Sequence, residues 1–188
     1  MKKSIYYSLL ISAMVSVSVA EETRQVDKHE HGVGELNIAI EGNAIDFEFF
    51  IPGADIVGFE YEAKTESDIA LVNAALEKFG NFDNIFSLPE SSNCNLVNSE
   101  IGVNQDDDHD EHDDHDDHDE HDEEAHNEFV AHYSFNCENI KEIDRISFPY
   151  FTNFPNSGEL EVQFVSEKGS TGFEVEGDEP FIDLKGKI

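Results

Sequence analysis

The sequence predicts an α+β fold: a largely antiparallel β-sandwich with one main helix and a disordered His/Asp-rich loop. Three observations lead there. Apolar residues alternate in seven or eight short runs, one stretch repeats them at helical spacing, and nineteen consecutive residues carry no apolar side chain at all. Although only 38% of the 188 residues are hydrophobic, 15 Phe and 5 Tyr supply enough bulky apolar surface for one modest core.

The elements follow in chain order. Met1-Lys2-Lys3, the apolar run from Ile5 to Val17 and the small residues Ser18-Val19-Ala20 read as a secretory signal peptide, residues 1–20, cleaved after Ala20. The run is shorter than the ~20 residues a membrane span needs, and no cysteine follows the site, which disfavours a lipoprotein. Residues 21–188 then form a single exported domain with no membrane insertion after cleavage. Glu35 to Ile40 places Leu36, Ile38 and Ile40 on one face, Gly42-Asn43 supplies a turn, and Ile45, Phe47, Phe49 and Ile51 alternate against Asp46 and Glu48. That is a β-hairpin. Thr65-Glu66-Ser67-Asp68 resembles a capped helix start, after which Ile69, Val72, Leu76 and Phe79 recur at helical spacing up to Gly80.

Cys94 to Val103 and Glu128 to Cys137 read as antiparallel neighbours flanking an insert, 104–127, with Phe129, Ala131, Tyr133 and Phe135 on one face of the second strand. Arg145 to Phe148, Leu160 to Phe164, Phe173 with Val175, and Phe181 to Leu184 complete the strands. In the antiparallel register Cys94 and Cys137 come to the same end of their ladder, so they should bridge in an oxidising compartment. On loop-closure entropy such a bridge contributes about 4 kcal/mol.

Composition excludes some partners. With 11 basic and 43 acidic residues the formal charge is 11 − 43 = −32, and loss of Lys2 and Lys3 takes the mature chain to 9 − 43 = −34. Nucleic acid and anionic membrane surfaces are poor partners for such a chain. The charge concentrates between Asp106 and Glu124, where fourteen carboxylates alternate with His109, His112, His115, His118 and His121 at every third position. This tract cannot form a core and is expected to be disordered.

Imidazole suits Zn, Cu and Ni, whereas carboxylates alone favour harder ions. In extended geometry histidines three apart lie about 9 Å from each other, too far to share one ion; turned geometry brings them to about 5–6 Å, where two close on one metal. Several exchangeable sites of two or so histidines plus carboxylates are therefore expected, and a cation should compact the tract as it binds. His29 and His31 project to one side of an extended stretch about 6.6 Å apart, a chelating spacing. His132 lies on the strand face opposite Tyr133 and Phe135, towards solvent or a metal; His126 stands six residues before it, about 20 Å away if extended. The candidate metal ligands are thus His29, His31, His109, His112, His115, His118, His121, His126 and His132.

The chain also resembles the zinc-regulated periplasmic zinc-binding proteins of the ZrgA type. The resemblance runs from His29-Glu30-His31-Gly32 and the Leu36 to Gly42 strand, through Val57-Gly58-Phe59-Glu60, Phe86-Ser87-Leu88-Pro89 and Cys94, to the insert, His132-Tyr133-Ser134-Phe135-Asn136-Cys137, Phe154-Pro155 and Leu160-Glu161-Val162-Gln163. At Val33 the family often carries a further histidine. What the resemblance implies is a periplasmic role in zinc acquisition, in which Zn2+ passes towards components of an ABC-type importer of a Gram-negative bacterium. No catalytic motif accompanies it: H-E-x-x-H, G-x-S-x-G and a phosphate-cradling glycine loop are all missing, and Asp106-Asp107-Asp108 lacks the glycine of an EF-hand. The expectation is a non-enzyme. The competing reading is a β-sandwich interaction domain whose acidic tract is a solvating spacer.

Overall fold

The computed structural model describes residues 32–105 and 127–188. The expected signal peptide, the His29/His31 pair and residues 106–126 with their expected disorder lie outside the described residues. The fold is α+β and predominantly antiparallel. Strands β1 (Val33–Glu41) and β2 (Ala44–Pro52) form the hairpin, closing at Gly42, whose φ of 59° needs the freedom of glycine. Two helices follow, the short α1 (Gly53–Val57) and the main helix α2 (Glu66–Phe79). The long strands β3 (Cys94–Gln105) and β4 (Asn127–Cys137) flank the insert, and β5 (Arg145–Ser147), α3 (Tyr150–Asn153), β6 (Glu159–Ser166), β7 (Gly169–Glu176) and β8 (Phe181–Asp183) complete the chain.

Six strands make one sheet in the order β3-β4-β2-β1-β6-β7, and β5 pairs with β8 in a second, two-stranded sheet. Among the described residues every strand pairing is antiparallel except β1 with β6, which run parallel within the large sheet. Period-two alternation turns Leu36, Ile38, Phe47, Phe49, Phe129, Tyr133, Phe135, Val162 and Phe164 to one face, all at most 2% exposed. Ile146 and Ile182 of the small sheet, Phe79 of α2 and the loop residue Phe86 join them in a single core between two layers. Phe86 is the hinge of that packing: its ring stacks on Phe47 at 4.0 Å and meets Tyr133 edge-on at 5.4 Å.

Thr65 caps α2 as the sequence predicts, its hydroxyl accepting from the Asp68 amide at 3.1 Å. The helix packs differently from its periodicity. Only Ala75 and Phe79 are buried, Val72 and Leu76 are partly covered, and Ile69 is 45% exposed, because only the C-terminal half of the helix lies over the sheet. Tyr133 Oη fixes that half by donating to the Phe79 carbonyl at 2.6 Å. Cys94 and Cys137 stand directly opposite in the β3–β4 ladder and are joined by a disulfide.

Candidate functional site

Register decides where the insert and the N-terminal histidines attach. The β3–β4 ladder runs from the bridged pair Cys94/Cys137 at one end to Gln105/Asn127 at the other. Pro52 pairs with Glu128 and Val33 with Glu159, so β1 and β6 begin at the Gln105/Asn127 end as well. Gly32 and Asn127 are therefore two interstrand spacings apart across the sheet, about 10 Å. Both are pinned. The Gly32 carbonyl accepts from the amides of Gly158 and Glu159 at 2.9 and 2.8 Å, and its own amide donates to Asp55 Oδ1 at 2.8 Å. Asn127 donates its amide to the Glu60 carbonyl and its Nδ2 to the Tyr61 carbonyl, at 2.8 and 3.0 Å.

The groups behind these anchors are buried. Asp55 is 3% exposed and Asn127 equally so. Asn127 Oδ1 presses against Gly53, where a Cβ would stand 1.6 Å from it, so α1 can begin only with glycine here. The buried Tyr150 hydroxyl, which feels the Asp55 charge, lies 2.6 Å from Ser157 Oγ. Burial raises the Tyr150 pKa above its ordinary value, the Ser157 hydrogen bond lowers it and the Asp55 charge raises it further. Tyr150 therefore stays neutral over the physiological pH range.

The second feature is on the open face of the sheet, away from the core. His132 stands in one cross-strand row with Glu100 of β3, Glu48 of β2, and Asn37 and Gln163 beyond. Its Nε2 is 3.7 Å from Asp46 Oδ1, and the two side chains are 36% and 40% exposed. Ser134 Oγ donates to the same Asp46 oxygen. Asn37, Ala39, Gln163 and Val165 continue the surface into an open groove of about 510 Å3 beside His132. In the neighbouring row Glu35, Glu161 and Glu174 face one another across β1, β6 and β7.

Of the nine predicted ligands the structure describes His132 alone, facing outward as its strand position requires. His29, His31, His109, His112, His115, His118, His121 and His126 lie outside the described residues. Among the described residues no three His, Cys, Asp or Glu side chains converge closely enough to hold a metal ion, and no helix is long and apolar enough to cross a membrane. Sequence reasoning did not find the acids around His132. The alternation of Asp46 and Glu48 put both on the outer face of their strand, but the pairing of β2 with β4 that brings them to His132 has no local signal.

A family model described as ZrgA family zinc uptake protein matches residues 28–184, a span that includes both histidine-bearing segments and all eight strands. No curated protein matches the chain.

Proposed function

Because the chain belongs to the ZrgA family of zinc uptake proteins, we propose that it captures Zn2+ in the periplasm through its His/Asp-rich insert and passes the ion towards an ABC-type importer. Zinc is cargo, and the protein acts by binding without catalysis. One observation supports the insert's part most directly: the two histidine-bearing segments join the fold at one end of the sheet. Gly32 follows His29-Glu30-His31, and Gln105 and Asn127 bracket His109, His112, His115, His118, His121 and His126. Ions gathered by the insert are thereby offered ligands from a second segment anchored about two strand spacings away.

The chemistry suits capture and release. Two or so imidazoles with carboxylates form a borderline donor set that holds zinc without enclosing it, and overlapping sites let an ion step from one to the next. Export agrees with the bridge between Cys94 and Cys137, since structural disulfides belong to oxidising compartments. Residues 1–20 supply the export signal and are removed.

The test is calorimetric zinc titration of the mature chain beside a variant with His109, His112, His115, His118 and His121 all replaced by Asn. All fourteen acids of the tract remain, so counter-ion attraction survives while imidazole ligation does not. The variant should lose most of its zinc and little calcium. Because an imidazolium offers no lone pair, affinity of the parent should fall as pH drops from 8 to 6. Equal zinc binding by parent and variant would refute the role of the insert.

A further inference from the structure

We infer that the open face of the sheet carries a zinc site of its own, separate from the insert, with His132 Nε2 and the Asp46 carboxylate as its protein ligands. The distance carries the argument. Two donors bound to one tetrahedral zinc at 2.0–2.2 Å lie about 3.4 Å apart, and Nε2 and Oδ1 stand 3.7 Å apart in the structure. A few tenths of an ångström of side-chain movement would let one ion bridge them. That pair is too long for a hydrogen bond, and Nε2 binds the ion only in the form that carries no proton there.

The surroundings fit the same ion. Ser134 donates to Asp46 and holds its carboxylate towards the imidazole, the outer-shell support that metal-binding carboxylates use. Glu48 and Glu100 stand directly opposite His132 on either side, in positions where cross-strand Cβ atoms are about 5 Å apart, and either can reach a bound ion by rotating an exposed side chain. One imidazole among carboxylates selects zinc and its neighbours over calcium. Two protein ligands leave two positions to water, open to the groove beside His132, so the metal here exchanges rapidly.

The experiment uses the full mature chain with His29, His31, His126 and the five insert histidines replaced by Asn, which leaves His132 as its one histidine and makes the outcome distinct from that of the insert test. Zinc alone is titrated while the His132 ring resonances are followed, assigned by comparison with the further variant His132→Gln. The expected result is a zinc-induced shift of those resonances and one weak equivalent that disappears with H132Q. Ser134→Ala should weaken it roughly tenfold. Thermal unfolding confirms that these surface variants fold. Unchanged His132 resonances at millimolar zinc, an equivalent that survives H132Q, or an equal response to calcium would each overturn the inference.

Discussion

Replacing Glu161 should stabilise the protein. In the β1-β6-β7 part of the sheet Glu161 is directly opposite Glu35 on one side and Glu174 on the other, and all three are exposed. Like charges placed opposite each other destabilise a ladder, each pair by roughly 0.2–1 kcal/mol. Glu161→Gln removes two such pairs. Because solvent screens the face, the lower half of the range applies, and the gain is about 0.5–1 kcal/mol. Glu161→Lys converts both repulsions into attractions and should roughly double it. At this chain length 1 kcal/mol moves the thermal midpoint by about 2–4 °C. Calorimetry of parent, E161Q and E161K at about 20 mM and 500 mM NaCl reads the effect: the order E161K above E161Q above parent at low salt, converging at high salt where the screening length falls to about 4 Å. Equal midpoints at low salt would refute the reasoning, as would a gap that salt leaves untouched.

Tyr133→Phe removes the donor to the Phe79 carbonyl at the end of α2 and should cost about 1–2 kcal/mol in urea unfolding, through the acceptor left without it. Burial raises the pKa of both Tyr133 and Tyr150 above the ordinary 10, so their contribution is complete below pH 10 and falls as pH rises beyond it, by up to about 1.4 kcal/mol per pH unit per tyrosine. Urea midpoints that stay flat from pH 9 to 11.5 would contradict this. Gly53→Ala places a Cβ 1.6 Å from Asn127 Oδ1 and 2.7 Å from the Phe59 carbonyl and should destabilise by about 1–3 kcal/mol, whereas Gly102→Ala meets nothing within 4 Å and serves as the neutral control. Deleting residues 106–124 and replacing Ala125-His126 by Asn-Gly joins Gln105 to its ladder partner Asn127 through a two-residue turn; the charge falls from −32 to −32 + 14 = −18, and the thermal midpoint should hold or rise.

The strands were legible because their cores are written at period two. Ile45, Phe47, Phe49 and Ile51 alternate with polar residues without interruption, and Phe129 to Phe135 does the same. The bridge was legible from where the two cysteines fall on strands that must run antiparallel. Helix α2 was legible in extent but not in burial, since periodicity marks a face and cannot say how far along that face the neighbouring layer reaches; Ile69 belongs to the apolar stripe and still meets solvent. The parallel contact of β1 with β6 left no trace in the sequence, because it joins segments more than a hundred residues apart whose own patterns suit either direction. Asp46 and Glu48 were hidden for the same reason, since only the pairing of β2 with β4 brings them to His132; Glu100 is on the strand that the sequence does pair with β4, and the bulge at Val97 sets it directly opposite His132.

The disulfide and the attachment points of the insert are at opposite ends of one ladder. Strand β3 is at one edge of the sheet, with Val97 bulged out between Leu96 and Asn98, so it is paired along one side only. The disulfide holds it at the Cys94 end, closing a separation of 43 residues that includes the entire acidic tract. Mutual repulsion among fourteen carboxylates acts at the other end, beyond Gln105 and Asn127. Opening that end by one pair costs a ladder contact but leaves β3 attached to β4 through the bridge, and the Asn127 contacts to Glu60 and Tyr61 hold β4 independently of β3. The bridge at Cys137 and the Asn127 contacts to Glu60 and Tyr61 thus hold β4 at both of its ends, whatever the charge of the segment that joins it to β3.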